Sequence, residues 1–206
     1  MQEPVVFIID DDEMSRDSIC ALVESMHIRT KSFDSGEAFL SSYDPSQPGC
    51  VVTDVRMTGM SGIELQERLQ ELGYQIPTVV ITAYASTPVT VRAMQNGAVT
   101  LLEKPYNEHA LWDAIRKALA QDTEQRKRRE HLDELRQRYE SLNDDERRVL
   151  DGIMNGKANK AIASELDVSV RTVESRRHNV FKKTGTESVA ELVKFVMTLR
   201  GVHEVS

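Results

Sequence analysis

Three consecutive acids, Asp10, Asp11 and Asp12, stand directly after the short apolar run Val5 to Ile9. Asp54 follows another such run, Thr82 ends a third, and Lys104, followed by Pro105, ends a fourth. Clustered carboxylates repel one another, and a hard divalent cation such as Mg²⁺ relieves that repulsion. Magnesium keeps several waters, so two carboxylates and a carbonyl suffice to hold it. A carboxylate beside such an ion can attack a phosphoryl group and carry it as an acyl phosphate. The ion, an ammonium and a hydroxyl would neutralise the oxygens of the transferred group, roles that suit Lys104 and Thr82. One Asp after a strand is usually a helix cap, one Thr in a strand is usually structural, and one Lys is usually solvated. The arrival of all of them at the ends of apolar runs gives the pattern its weight.

The elements that must position these residues are legible. Val5 to Ile9, Val51 to Thr53 and Thr78 to Ile81 are β-branched, continuous apolar runs, as expected of strands buried on both faces. Ile28 to Phe33 and Val99 to Leu102 are weaker candidates of the same kind. Between them apolar residues recur at spacings of three and four, as in Ile19, Leu22, Val23 and Met26, or Ile63, Leu65 and Leu69. Alternating strands and helices predict an α/β fold, a doubly wound five-stranded parallel sheet over residues 1–121. Right-handed crossovers put the carboxyl ends of all its strands on one edge, where ligands bind in open α/β sheets.

On these residues the front of the chain resembles the flavodoxin- or CheY-like receiver domain of two-component response regulators. The matching pieces are Ile8-Ile9-Asp10-Asp11, Asp54-Val55-Arg56-Met57-Thr58-Gly59-Met60-Ser61-Gly62, Val80-Ile81-Thr82-Ala83 and Glu103-Lys104-Pro105. The resemblance implies that Asp54 accepts a phosphoryl group from a His of a sensor histidine kinase. It implies that Asp11, Asp54 and the backbone carbonyl of Arg56 bind Mg²⁺ directly, and that Asp10 acts through water. It further implies that Thr82 and Lys104 bind the phosphoryl group and that the Lys104–Pro105 bond is cis. Two residues depart from the family's pattern. Thr58 stands where Pro is usual, which predicts a looser loop after Asp54. Leu101 stands where Phe or Tyr usually reports phosphorylation by swinging inward. Tyr84 occupies a position at which the family tunes dephosphorylation.

From Glu108 the pattern is helical, with no Pro or Gly before Gly152. Leu111, Ile115 and Leu119 form one stripe, and Gln121 to Arg129 is almost wholly polar, so residues 122–141 read as a solvated helical linker. Leu132, Leu135, Tyr139 and Leu142 form a short a/d seam that could instead pair with a second subunit. Residues 142–206 read as a compact helical domain. Asn143 with Glu146 completes a capping box, Ala158 to Leu166 is a short helix, and Ser169 caps the helix that follows.

Residues 157–183 hold 7 basic against 3 acidic side chains, in a chain whose net charge is −7. The basic residues are Lys157, Lys160, Arg171, Arg176, Arg177, Lys182 and Lys183, a patch suited to phosphate neutralisation. A helical domain with a solvated charged face is the plainer alternative on charge alone. The wording Asn159-Lys160…Ile162-Ala163…Leu166…Val168-Ser169, then Thr172-Val173-Glu174 and Asn179-Val180…Lys183, resembles the helix-turn-helix of FixJ/NarL/LuxR-type transcription factors. The resemblance implies that Glu174, Ser175 and His178 face base edges. Lys160, Arg171, Thr172, Arg177 and Lys182 would then face phosphates, while Val173 seats the helix. Asp145, Asn143 and Arg176 replace residues usual in the family, and Glu174 is acidic at a groove position.

Composition narrows the remaining classes. Two cysteines, Cys20 and Cys50, have neither CxxC nor zinc-ligand spacing, which fits a reducing compartment and no disulfide scaffold. The apolar runs are too short to span a bilayer, and no signal peptide is expected, so the expected location is cytoplasmic. His27, His109, His131 and His203 stand alone and read as structural or solvated. The expected activity is therefore a non-enzymatic, phosphorylation-controlled transcription regulator. Its expected partners are a sensor kinase, double-stranded DNA, RNA polymerase and, when phosphorylated, a second copy of itself. Two alternatives remain: a receiver coupled to a protein-interaction output, and a haloacid-dehalogenase-type phosphohydrolase suggested by Asp10-x-Asp12.

Overall fold

A computed structural model describes residues 2–201 of the chain; His203 lies outside the described residues. The chain divides into two units, Met1–Arg126 and Lys127–Ser206.

The first unit holds β1 (Val5–Ile9), α1 (Glu13–Ser25), β2 (Arg29–Phe33), α2 (Gly36–Ser42), β3 (Gly49–Asp54), α3 (Gly62–Glu71), β4 (Thr78–Thr82), α4 (Thr87–Gln95), β5 (Thr100–Glu103) and the start of α5 (Glu108–Glu140). The five strands form one sheet in the order β2-β1-β3-β4-β5, every pair parallel. β1, β3 and β4 are buried at every position, which is why their sequences are continuous apolar runs rather than alternating ones.

Alternate side chains feed two cores. Val6, Ile8, Cys50, Val52, Val79 and Ile81 pack with Ile19 and Val23 of α1 and Leu111, Ala114, Ile115 and Ala118 of α5. Val5, Phe7, Ile9 and Val51 point the other way, onto Phe39 of α2 and Leu65 and Leu69 of α3. Each large aliphatic side chain fully buried this way contributes roughly 1.5–3 kcal/mol. The helices α1 and α5 on one face and α2, α3 and α4 on the other make the sheet doubly wound, as expected. The strand order reverses between β1 and β3, so the crevice at their carboxyl ends is the topological switch point.

α5 is pinned to this unit beyond its apolar stripe. Asp122, 1% exposed, accepts the Gly49 amide hydrogen at 2.9 Å. Arg126 pairs with Asp122 and donates to the carbonyls of Pro45, Ser46 and Gln47. The polar stretch 121–129 is therefore not a uniformly solvated linker; its first turn is fastened to the loop before β3.

The second unit holds the end of α5, then α6 (Asp144–Met154), α7 (Asn159–Leu166), α8 (Val170–Thr184) and α9 (Val189–Arg200). Its core gathers Leu135, Leu142, Val149, Leu150, Ile153, Ile162, Val173, Val180, Leu192 and Phe195, with Tyr139 packed against it. Of the seam Leu132, Leu135, Tyr139 and Leu142, the last three thus belong to the core of their own unit, while Leu132 is half-buried outside that cluster. Asn143 and Glu146 form the expected capping box at the start of α6, and Ser169 accepts the Thr172 amide hydrogen at the start of α8. Between α7 and α8, Asp167 ends α7 in the left-handed region at φ 53°, and its short side chain tolerates that conformation.

Candidate functional site

Asp10 follows β1, Asp54 ends β3, Thr82 ends β4 and Lys104 follows β5, so the parallel register delivers all four to one sheet edge. Lys104 joins them. Its Nζ lies 3.0 Å from Asp10 Oδ2 and 2.9 Å from Asp54 Oδ1. The two carboxylates are nearly inaccessible, with side chains 3% and 10% exposed, so the ammonium neutralises charge that water cannot reach. Burial works against the charge on Lys104, but its hydrogen bonds to Asp54 and Asp10 outweigh this and hold its pKa above the ordinary lysine value. The Lys104–Pro105 bond is cis.

Several neighbours fix this cluster. Ser15 donates to Asp10 Oδ2 at 2.7 Å and accepts from Lys104 Nζ at 3.0 Å. Arg16 donates to the Asp10 carbonyl at 2.7 Å. The Arg56 amide donates to Asp54 Oδ2 at 2.6 Å. Gly62 permits the close approach of α3, since a Cβ there would fall 2.1 Å from the Asp54 carbonyl oxygen. Sequence reasoning missed Ser15 and Arg16. Their place in the first turn of α1, immediately after the acids, was the available signal.

The remaining acids behave differently. Asp12 is the N-cap of α1, accepting the Met14 amide hydrogen at 3.0 Å, and does not join the cluster. The phosphohydrolase alternative rests on Asp10-x-Asp12, and the Asp12 side chain caps α1 instead of reaching the Asp10–Asp54–Lys104 cluster. Asp11 turns to the loop after β3. Its Oδ2 accepts both the amide and the hydroxyl of Thr58 at 2.8 Å each. The amide bond from Thr58 is the main reason the Asp11 carboxyl titrates below the usual carboxylate range. Thr58 therefore ties the loop down rather than loosening it. Proline, with neither an N–H nor a hydroxyl, could make neither bond.

Asp10 touches Lys104 directly. Thr82 is 1% exposed, and its hydroxyl oxygen accepts the Tyr84 amide hydrogen at 3.2 Å. Tyr84 is 67% exposed. Leu101 is half-buried against the Val55, Ile63, Val80 and Ala93 cluster. The oxygen-only donor set of Asp11, Asp54 and the Arg56 carbonyl is of the kind a hard dication takes. Among the described residues, however, no three His, Cys, Asp or Glu side chains are gathered as a ready metal site.

In the second unit α8 presents one polar face. Arg171, Glu174, Ser175, His178 and Lys182 are exposed on it, and Lys160, near the start of α7, is exposed too. Thr172 is half-buried, with its hydroxyl 2.8 Å from Ser169 Oγ. Arg177 stacks its guanidinium 5.9 Å from the centre of the Phe181 ring. Val173 is fully buried, so of the residues considered for a nucleic-acid interface it is the one that cannot reach a base; it holds the helix on its core.

Three cations of the basic patch are already paired. Lys157 binds Glu165, Arg176 binds Asp145, and Lys183 binds Glu146 and the Ser141 carbonyl. The two unusual residues Asp145 and Arg176 are therefore partners across α6 and α8. Burial opposes ionisation of Glu146, yet the hydrogen bonds from Lys183 and the Asn143 amide prevail and lower its pKa.

Comparison with known proteins agrees with both halves. Residues 6–116 match the response regulator receiver domain, and residues 140–196 match the bacterial regulatory proteins of the LuxR family. The chain is 40% identical to the response regulator protein TmoT of Ectopseudomonas mendocina, over 97% of this chain and 90% of that protein. It is also 40% identical to the transcriptional regulatory protein FixJ of Azorhizobium caulinodans, over 96% of this chain and 93% of that one. Among solved structures, the response regulator StyR superposes with a TM-score of 0.87 at 44% identity, covering 95% of this chain and 98% of StyR. The chain belongs to the two-component response regulators, as a transcriptional regulator that joins a receiver domain to a LuxR-type DNA-binding domain.

Proposed function

We propose that Asp54 is the phosphoacceptor through which a sensor histidine kinase controls DNA binding by the second unit. One carboxylate oxygen of Asp54 attacks the phosphorus of a phosphohistidine. The phosphorus–nitrogen bond breaks, a phosphorus–oxygen bond forms, and the departing imidazole takes up a proton. The observation that carries this reading is Lys104 Nζ bridging Asp10 and Asp54 at the sheet's carboxyl edge. The ammonium screens the approach of an anionic donor and is in reach of the phosphoryl oxygens once Asp54 carries them. Thr82 supplies a hydroxyl at the same edge.

Asp11, Asp54 and the Arg56 carbonyl would hold Mg²⁺, which when bound supplies charge neutralisation at the transferred group. Asp10 would act beside it, through water or through Lys104. The protein performs no turnover beyond its own modification and works in the cytoplasm.

At the other end, Lys160, Arg171, Thr172, Arg177 and Lys182 face phosphates, while Glu174, Ser175 and His178 read base edges from α8. Residues 1–121 act as the phosphoacceptor domain, 122–141 as the linker and 142–206 as the DNA-binding domain. Phosphorylation favours a dimer on two half-sites about one helical turn apart and contact with RNA polymerase.

The test is a salt-controlled DNA-shift assay on genomic fragments footprinted by the protein, with acetyl phosphate and Mg²⁺. The wild type binds more tightly after treatment. Equal tightening by Asp54→Asn would refute the coupling, and binding insensitive to salt would favour a protein-interaction output.

A further inference from the structure

We infer that Thr58 is a positioning residue that latches Asp11 away from a divalent cation, so that this receiver takes up the ion less readily than its donor set alone would allow. The inference rests on the reading of Asp11 as a metal ligand.

Two bonds form the latch. The amide and the hydroxyl of Thr58 both donate to Oδ2 of Asp11, each at 2.8 Å. The loop that carries Thr58 is itself held on both sides. Arg56 donates its amide to Asp54 Oδ2 at 2.6 Å, and the Met60 amide donates to Glu37 Oε1 at 3.1 Å. Thr58 is thus a fixed point, and Asp11 comes to it. Among the described residues no three His, Cys, Asp or Glu side chains form a ready ligand group. Mg²⁺ demands near-ideal octahedral geometry at about 2.0–2.1 Å, and the Thr58 bonds hold Oδ2 and fix the direction in which Asp11 can offer its other oxygen, so reorienting the carboxylate toward the ion works against the latch. Both partners are exposed, and water can take over the bonds that break. Each such hydrogen bond shifts an equilibrium by a few-fold, and the pair by on the order of tenfold.

Mg²⁺ titration of the unphosphorylated full chain by isothermal calorimetry tests this, with thermal midpoints in EDTA to confirm folding. Thr58→Ser keeps both donors and is expected to bind Mg²⁺ as the wild type does. Thr58→Val keeps the branched shape without the hydroxyl and is expected to bind about threefold more tightly. Thr58→Pro loses both donors and is expected to bind about tenfold more tightly. Folded Val and Pro variants that bind Mg²⁺ no more tightly than the wild type overturn the latch while leaving the metal site standing. A wild type that binds no Mg²⁺ at millimolar concentration overturns the site and the latch together.

Discussion

Arg126 is bound on every side, and its removal should be felt through the residue it leaves behind. Its Nε donates to Asp122 Oδ2 at 2.8 Å, and its Nη atoms reach the carbonyls of Ser46, Pro45 and Gln47 at 3.0, 3.1 and 2.7 Å. Asp122 keeps one other bond, from the Gly49 amide, and its side chain is 2% exposed. Arg126→Ala therefore strands a nearly inaccessible carboxylate, which costs about 3–5 kcal/mol. Asp122→Asn acts differently. Its amide oxygen can still accept from Gly49, and the guanidinium keeps its three carbonyl acceptors, so the loss is about 1–2 kcal/mol. The double variant carries no buried charge and should be more stable than Arg126→Ala alone, a coupling of the sign expected for direct partners. Urea unfolding followed by the fluorescence of Trp112, the chain's single tryptophan and part of the same unit, measures all three. An Arg126→Ala variant no less stable than Asp122→Asn would refute the reasoning.

Two further outcomes concern the second unit. The pKa of Glu146 is lowered on folding, so its pairing stabilises the protein above the ordinary value of 4.5, and the gain is lost as pH falls through the lower folded value. Acid unfolding of the full chain followed by circular dichroism should show this loss below pH 4.5, and Glu146→Gln should flatten it. Because Lys157, Arg176 and Lys183 are internally paired, four of the seven patch cations, Lys160, Arg171, Arg177 and Lys182, remain for phosphates. The salt slope of DNA binding should then be about −3.6 per bound copy rather than about −6.3, and Arg176→Ala should leave it unchanged.

The fold was legible because the sheet is parallel and its central strands are buried on both faces. Val5 to Ile9 is wholly apolar and Thr78 to Ile81 carries only the β-branched Thr78 among its apolar residues, and topology alone then brings Asp10, Asp54, Thr82 and Lys104 to one edge. What the sequence did not disclose is the direction of short polar side chains. Asp11 and Asp12 are adjacent and chemically identical, yet one binds Thr58 and the other caps α1. That choice depends on backbone dihedrals and on which donor comes near. Leu135, Tyr139 and Leu142 misled for a related reason: an a/d spacing specifies that a face is covered, and α6 to α9 cover these three. Asp145 and Arg176 each read as a separate departure, whereas their pairing is one compensated change between residues 31 apart in sequence.

The same pairing logic constrains how a charge placed on Asp54 can be communicated. Lys104 divides its protons among Asp10, Asp54 and Ser15, and the Thr82 hydroxyl accepts from the Tyr84 amide and donates to the Tyr84 carbonyl at 3.3 Å. The loop that follows Thr82 has one further tie from β5, the Ala85 amide donating to Glu103 Oε1 at 3.1 Å. In the proposed reading, Thr82 cannot donate to a phosphoryl oxygen without giving up its bond to the Tyr84 carbonyl, so the loop leading into α4 loses one of its ties. Leu101 packs in the apolar cluster below α4 and has no polar group with which to follow the charge. An aliphatic residue there can answer a shift of α4 only by repacking against Ala93 and Val80. The first structural response to phosphorylation should accordingly be sought in the backbone at Tyr84 and Ala85, ahead of any rotation at position 101.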